Sequence, residues 1–207
     1  TAISQKIVKS GSVVNIEGSD YIVLDKKNTD KYLVISKEAV GDPIYFQTSE
    51  RTDGQNMSTY EHSDVDNYLE STWYPSLSTN MKNAIQSTKI KQCSYSGYNS
   101  PETKEDQGYN GQSYNEISRH VFLPGVDDLS TLVNLKDSNS IITFLGGKDI
   151  WLRDSHRSNP LYVVELYYYK GLLGYAGANH VTNWIRPTFV IDLSKVNYTV
   201  TGSVNYK

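Results

Sequence analysis

The chain has 207 residues with 23 acidic and 20 basic side chains, and its formal net charge of −3 excludes the basic surface that nucleic-acid binding requires. It contains no apolar run near the roughly 20 residues of a membrane span and no signal-peptide core, so we expect no membrane insertion. The single Cys93 excludes an internal disulfide and a cysteine-based metal cluster. Since no stretch has the composition of a linker, we predict one domain over 1–207, either mature or cut from a longer protein.

The N-terminal part predicts a three-stranded meander. The runs VVNIEG and DYIVLDKK have the composition of strands and meet at a turn at Gly18 and Ser19. The run KYLVISKEAV is the third strand, after a polar turn of Asn28, Thr29 and Asp30. The polar stretch FQTSERTDGQNMSTYEH shows no periodicity and predicts a long surface loop.

Two short helices are predicted next. Ser63 has the position of an N-cap, and Pro75 is expected to end the first helix. Ser78 or Thr79 is the expected N-cap of the second. The apolar residues at helical spacing are Val65, Tyr68 and Leu69 in the first helix and Met81, Ala84 and Ile85 in the second.

The middle of the chain, 93–119, is the most irregular segment. A loop of this length inside a compact domain is either functional or disordered. We expect its tyrosines to order it against the C-terminal β region; they are Tyr95, Tyr98, Tyr109 and Tyr114. The run HVFLPG that follows predicts a short strand, and VDDLSTLVNL predicts a helical turn capped by Asp127 or Asp128.

The C-terminal third predicts strands again. DIWLRD predicts the end of a strand. LYVVELYYYKGLLGYA predicts a hairpin that turns near Lys170 and Gly171. IRPTFVIDLS predicts one strand, and Pro187 indicates that it begins at an edge or a bulge. The order of elements therefore predicts an α+β fold with antiparallel sheets, two short helices and long loops.

Tyrosine is unusually abundant, with 17 residues against 4 phenylalanines and 3 tryptophans. A phenol joins a flat apolar face to a hydroxyl, which suits surfaces that bind sugars or proteins. Strands also favour tyrosine, and many of these residues lie in strand-like runs. The bias therefore leaves two interpretations, an adhesive surface or a β-rich fold.

No catalytic motif is present. The chain has no phosphate-binding glycine loop, no His-Glu-x-x-His and no Gly-x-Ser-x-Gly, and its four histidines are scattered. The runs TDGQN (52–56) and KEDQGYNGQ (104–112) have oxygen ligands and glycines but not the EF-hand spacing. Ordinary solvated loops explain them as well, so we expect no cofactor and leave calcium open.

Two Trp/Arg pairs, Trp151 with Arg153 and Trp184 with Arg186, lie beside strand-like runs. An arginine held by a carboxylate in a bidentate pair positions strands well. We therefore predict structural roles for Trp151, Arg153 and Arg186, with direct ligand binding by an arginine as the alternative. The candidate carboxylates are Asp149, Asp154, Glu165 and Asp192.

The hairpin and the residues after it offer aromatic rings and amides within one local stretch, as a sugar-binding face requires. Strand alternation places Tyr168 with Leu166 on the core side and the neighbouring tyrosines on the other side. An ordinary solvent-exposed hairpin is the alternative. The predicted binding face comprises Tyr167, Tyr169, Asn179, His180 and Asn183, with Trp184 at its edge.

Several short motifs follow one another in an order that resembles an uncharacterised bacterial and phage domain of unknown function. They are YIVL, YLVIS, TYEHSDVDNYL, VFLP, WLRDS and IRPTFVIDLS, and together they extend over nearly the whole chain. No single motif is specific, but the combination is. More distantly, Trp-Leu-Arg followed by Arg-Pro is similar to C-type-lectin-like domains, the kind found in formylglycine-generating enzymes and phage variable proteins. This resemblance implies a C-type-lectin-like fold in which the Trp and Arg positions hold the scaffold and loops bind.

These observations favour a non-catalytic binding or adhesion module of a bacterial cell-surface or phage structural protein. It is expected outside the cell, on the cell surface or on a virion, with a host or cell-surface glycan or protein as its partner. An enzyme of the formylglycine-generating type is an alternative, although the resemblance implies paired cysteines there and this chain has Cys93 alone. A purely structural spacer domain is a third hypothesis.

Overall fold

The structure is a computed structural model that describes residues 6–99 and 112–207. In chain order the strands are β1 (Ser12–Ile16), β2 (Ser19–Asn28), β3 (Lys31–Ser36), β4 (Val40–Ile44), β5 (Ile85–Gln86), β6 (Thr88–Lys91), β7 (Ser94–Tyr95), β8 (Glu116–Arg119), β9 (Ile150–His156), β10 (Tyr162–Tyr167), β11 (Leu172–Gly177), β12 (Asn183–Ile185), β13 (Thr188–Asp192) and β14 (Thr199–Ser203). The α-helical segments are α1 (Asp64–Tyr68), α2 (Tyr74–Ser76), α3 (Thr79–Ala84), α4 (Val126–Ser130) and α5 (Ser138–Leu145). The α+β class is confirmed.

The first sheet contains the predicted meander, in the order β14-β1-β2-β3-β13-β5. Its first hairpin turns at Glu17 and Gly18, both of which have positive φ, as the tight turns between antiparallel strands require. The second turn contains Asp30, also at positive φ. The three predicted strands and their antiparallel pairing are therefore confirmed. The first turn lies one residue earlier than predicted, and the third strand ends at Ser36 rather than Val40.

The second sheet is built mainly from the C-terminal third, in the order β11-β10-β9-β12-β4, and β7 pairs with β9 beside it. The predicted hairpin is confirmed as β10 and β11, with Gly171 at positive φ in its turn. β6 and β8 form a separate two-stranded ribbon. β7 and β8 both lie inside the segment 93–119 that we expected to be irregular.

One continuous group of buried apolar side chains draws on both sheets and on the helices between them. At its centre Trp151 has no exposed surface, and its ring contacts Phe46 edge-on with centroids 5.7 Å apart. Phe46 also contacts Tyr60. A fully buried tryptophan removes a large apolar area from water, so this cluster is a main source of stability. Within the described ranges no helix has the length and apolar character needed to cross a bilayer.

The first predicted helix is longer than expected. Ser63 caps α1, its hydroxyl accepting from the Asp66 N–H, as predicted. Pro75 does not end the helix, because a π-helical turn, Leu69–Trp73, carries the chain into α2 with Pro75 near the start of that segment. Pro75 is tolerated because it lies where the helical ladder changes from π-helical to α-helical hydrogen bonding and is therefore irregular.

The second predicted helix is α3, and the Ser78 hydroxyl accepts the Met81 N–H at its start. The cap of α4 is Gly125, not Asp127 or Asp128; the Asp128 carboxylate instead accepts the Gly125 N–H. The run HVFLPG forms no strand, only an isolated bridge between Phe122 and Thr188.

Two further differences concern helix α5 and the last strands. Helix α5, capped by Asp137 and followed by Gly146 in the left-handed region, was not predicted. The run IRPTFVIDLS does not form one strand. Pro187 separates β12 in the second sheet from β13 in the interior of the first, so the chain crosses between sheets there. A proline cannot donate to a strand ladder, which is why the crossing falls at this residue.

Candidate binding surface

Large apolar side chains that remain exposed in the described residues concentrate on or beside the second sheet. A few others, such as Ile7 and Tyr198, are exposed elsewhere. Scattered exposed apolar residues are normal on a protein surface, but a concentration on one sheet marks a candidate binding surface. The residues of this group are Tyr45, Tyr98, Leu161, Tyr162, Tyr168, Tyr169 and Val181.

Four aromatic rings on this sheet contact one another in series. Tyr98 lies 5.5 Å from Tyr175 between ring centroids, Tyr175 lies 4.4 Å from His156, and His156 lies 6.1 Å from Tyr162. β9, β10 and β11 supply three of them, and the chain just after β7 supplies Tyr98. Rings at these separations form one continuous apolar surface.

A fifth ring, His180, lies on the same side of the sheet as Tyr162. The imidazole of His180 lies across Gly177, so close that a Cβ at that glycine would be 2.5 Å from its Nδ1 atom. Gly177 pairs with Tyr162, and directly paired residues project to the same side of a sheet. We name these residues the aromatic strip: Tyr98, His156, Tyr162, Tyr175 and His180.

The segment that carries Tyr98 is held against the edge of the second sheet. The Tyr175 hydroxyl donates to the Gly97 carbonyl at 2.6 Å. Asn99 and Leu173 exchange two hydrogen bonds, the Asn99 N–H donating to the Leu173 carbonyl and the Leu173 N–H to the Asn99 side chain. Tyr98 therefore keeps a defined position although 65% of it is exposed.

The aromatic strip contains hydrogen-bonding groups that carry little charge near neutral pH. Burial raises the pKa of the Tyr175 hydroxyl to about 12, and burial lowers the pKa of the His156 imidazole below its usual value. Both shifts follow from removing the charged form from water. Tyr175 and His156 thus present neutral donors and acceptors next to apolar ring faces.

The predicted hairpin face is divided by the structure. Tyr167 and Tyr169 lie together, with ring centroids 6.4 Å apart. Asn179 and His180 follow the other end of β11, where Gly177 pairs with Tyr162, five strand residues from Tyr167. That separation is about 17 Å. His180 therefore belongs to the aromatic strip and not to the Tyr167 end.

The remaining members of that face are not freely exposed. Asn183 is 2% exposed, and its amide donates to Glu165 at 2.6 Å. Trp184 is half-buried, with the Lys148 ammonium 4.1 Å from its ring centroid. The expectation that Tyr168 faces the core is wrong. β10 ends at Tyr167, so strand alternation no longer applies, and Tyr168 is exposed.

The first Trp/Arg pair lies in the interior. Trp151 donates from its indole to the Ile44 carbonyl at 2.8 Å. Arg153 donates to the Lys91 and Leu123 carbonyls and forms an ion pair with Asp128. Asp128 was not among the expected carboxylates, because its position at the start of α4 indicated a helix cap. The structural roles predicted for Trp151 and Arg153 stay predictions that these contacts favour.

A groove of about 720 Å³ opens beside Arg153, and sequence reasoning did not find it. Its lining includes Lys27 of β2, Lys89 of β6, Cys93 just before β7 and Asp127 of α4. These residues are far apart in sequence, so no local pattern signals the groove.

No cluster of three His, Cys, Asp or Glu side chains suited to a metal ion occurs in the part of the chain that the structure describes. In the calcium-like run 52–56, the Asp53 carboxylate is already engaged by Arg51 at 2.6 Å and by the Gln55 N–H. The second run, 104–112, lies outside the described residues except for Gln112. Tyr109, one of the four expected anchors, also lies outside them.

A comparison with protein families finds one model, described as a domain of unknown function (DUF6273), that matches residues 29–193. No curated protein and no solved structure matches the chain. The matched residues include β9 to β13 and the whole of the aromatic strip. β1, β2 and β14 lie outside the match, although they complete the first sheet.

Proposed function

The chain belongs to the DUF6273 family, and we propose that it is a non-catalytic binding module whose aromatic strip recognises carbohydrate. The observation that carries this proposal is the serial contact of Tyr98, Tyr175, His156 and Tyr162 on the surface of one sheet. A row of rings rather than a single ring favours an oligosaccharide over a single sugar.

The chemistry of the strip supports a sugar ligand. The apolar face of a pyranose packs on an aromatic ring, and its hydroxyls need hydrogen-bond partners, because a buried unpaired hydroxyl costs about 1–3 kcal/mol. Phenols and imidazoles provide both features. Tyr98 and Tyr162, 65% and 37% exposed, are the rings most accessible to such a ligand.

The setting that we propose is extracellular, on a bacterial cell surface or a virion, with a host or cell-surface glycan as the partner. A protein partner is the second candidate, because tyrosine-rich surfaces also occur at protein interfaces. Against an enzyme of the formylglycine-generating type stands the single Cys93, since the resemblance implies paired cysteines for that chemistry. A spacer domain would have no need of the exposed rings.

We also propose that the fold is related to C-type-lectin-like domains and that Trp151 and Arg153, with Arg186, form the scaffold of that relationship. The support is a mixed fold of antiparallel sheets with short helices, together with the burial of all three side chains. The analogy concerns the fold, and function rests on the aromatic strip itself.

A glycan array with the whole chain tests the proposal. We expect binding to one class of glycan, and we expect a Tyr98→Ala/Tyr162→Ala double variant to lose at least tenfold in affinity, or about 1.4 kcal/mol. The matched control is Tyr167→Ala/Tyr169→Ala, which removes two tyrosines of the same sheet outside the strip. Circular dichroism checks that both variants are folded.

Each result has a defined meaning. Loss in the first variant with retention in the control supports the strip. The reverse pattern would place the site at the Tyr167 end of the hairpin, as the sequence predicted, and would overturn our assignment. Binding to no glycan would reject a carbohydrate ligand, and a protein partner would then become the leading hypothesis.

A further inference from the structure

Arg186 is buried without a carboxylate partner. Only 3% of Arg186 is exposed. Its Nε donates to the Ser36 carbonyl at 2.8 Å, and its Nη1 donates to the Phe144 carbonyl at 3.0 Å. Among the described residues no carboxylate forms an ion pair with it, and its guanidinium carbon lies 4.1 Å from the Phe144 ring centroid. Its Nη2 donates to no described residue and is not enclosed by the protein. A largely buried cation with a donor open to a pocket favours a bound anion there.

A pocket of about 200 Å³ lies beside this guanidinium. Lys37 and Lys148 line it, together with Tyr206, whose ring packs edge-on against Phe144. Lys148 is held in place by the face of Trp184. The volume is below the ~300 Å³ of pockets that hold drug-sized ligands, so it suits a single polar group rather than a whole large molecule.

The charge around the pocket is locally positive in a chain whose formal net charge is −3. Arg186, Lys37 and Lys148 face one carboxylate, Glu38, which is exposed at the rim. Burial lowers the pKa of Arg186 to about 10, which is the direction expected of a desolvated cation and still leaves it charged at neutral pH. The hydroxyl of Tyr206 adds a donor.

We propose that this pocket binds a small oxyanion, the carboxylate or phosphate group of a ligand. Both hydrogens of Nη2 and one of Nη1 donate to no described residue, and the planar guanidinium donors match the oxygens of such a group. Lys37 and Lys148 add charge at the rim. The site shares no residue with the aromatic strip, so it stands independently of the proposed carbohydrate function.

Isothermal titration calorimetry with the whole chain tests the proposal, using sodium phosphate and sodium glucuronate at constant ionic strength. We expect one site, weakened at least tenfold in a Lys37→Gln/Lys148→Gln variant. The control is Lys89→Gln/Lys170→Gln, which removes the same charge from exposed positions outside the pocket and is expected to bind as the parent does. Equal binding by both variants, or no saturable binding of either anion to the parent, would overturn the proposal.

Two further variants sharpen the test. Glu38→Gln removes the competing carboxylate and is expected to tighten binding several-fold; weaker binding would contradict the site. Arg186→Lys keeps the charge but loses the planar guanidinium donors, so we expect weaker binding with an unchanged circular dichroism spectrum. Arg186 also donates to two backbone carbonyls. If this variant does not fold, the lysine variant and Glu38→Gln decide the test. Tighter binding of glucuronate identifies an acidic sugar as the source of the oxyanion, and tighter binding of phosphate identifies a phosphoryl group.

Discussion

Arg153 and Arg186 each follow a tryptophan by two residues, yet their surroundings differ at the residue scale. Arg153 has the Asp128 carboxylate and two backbone carbonyls. Arg186 has two carbonyls and no carboxylate in the described part of the chain. The same local motif therefore holds one buried arginine paired with a carboxylate and one that is stacked on Phe144 without such a pair, and sequence spacing does not distinguish them.

Asp128→Ala is expected to destabilise the fold strongly. Removing one member of a buried pair leaves the other charge unpaired, so we expect the free energy of unfolding to fall by about 3–5 kcal/mol. The Asp128 carboxylate also accepts the Gly125 N–H at the start of α4, which adds to the loss. Urea denaturation of parent and variant measures the difference.

Glu116→Ala is the matched control for that experiment. Lys89 and Glu116 form an ion pair at 3.6 Å in which both side chains are exposed. Exposed pairs contribute about 0–1 kcal/mol to the free energy of unfolding. An Asp128→Ala variant that loses no more stability than Glu116→Ala would show that the Arg153 pair does not hold the scaffold.

Asp154 predicts a pH dependence of stability. Burial raises the pKa of its carboxyl to about 6, although Arg153 and the N–H groups of Val126 and Cys93 act in the opposite direction. The folded chain therefore binds this proton more tightly than the unfolded chain does. The protonated Asp154 carboxyl therefore adds roughly 3 kcal/mol to the free energy of unfolding below about pH 4. This contribution is lost as the pH rises to about 6.

The measurement is the free energy of unfolding of the parent and of Asp154→Asn between pH 4 and pH 7. We expect the difference between the two, in the sense parent minus variant, to decrease as the pH rises to about 6 and to be constant above it. A difference that increases over this range would show that the Arg153 charge and the two N–H donors outweigh burial.

At the scale of elements, the hairpin turn and helix α5 are joined by a close contact at Gly171. Gly171 has φ near +61°, and a Cβ there would lie 2.5 Å from the Ser138 carbonyl oxygen at the start of α5. The turn between β10 and β11 therefore depends on glycine for two reasons, the backbone conformation and the space.

Gly171→Ala is expected to lower the free energy of unfolding by more than Gly146→Ala. Gly146 has φ near +59° with nothing within 4 Å of a Cβ, so its substitution costs the conformation alone, about 1 kcal/mol. The backbone contact at Ser138 adds to this cost at Gly171. Thermal unfolding of both variants compares them, and equal losses would mean that α5 moves away freely.

Elements that depend on local signals were predictable, and those that depend on pairing were not. The Ser63 and Ser78 caps and the Gly18 turn act within a few residues, so the sequence predicts them. Pro75 misleads because the preceding π-helical turn accommodates it. The separation of β12 from β13 at Pro187 requires knowledge of the sheet to which each strand belongs.

At the scale of the whole molecule, the last strand protects the first. β14 pairs with β1 and is itself the edge strand of the six-stranded sheet, so β1 lies inside the sheet. An uncovered edge strand has free N–H and C=O groups and promotes association between chains. Both strands lie outside the matched family region, so the sheet of this chain is completed by residues beyond it.

A chain shortened to residue 196 is expected to melt at a lower temperature and to associate, which light scattering at several concentrations would detect. A chain shortened to residue 204 keeps β14 and serves as the control. It also removes Tyr206 from the Arg186 pocket without exposing β1. Equal melting temperatures and no association in the shorter chain would show that β1 does not need its partner.

The sequence by itself determined the α+β class, the meander, the capped helices and the hairpin, because hydrophobic alternation and turn or cap residues act over a few neighbours. The tertiary structure alone decided which rings meet in the aromatic strip, that Arg153 pairs with Asp128, and that Arg186 lies beside a cationic pocket. These arrangements join residues tens of positions apart. Local sequence carries no record of such distances, since sheet order and register set them.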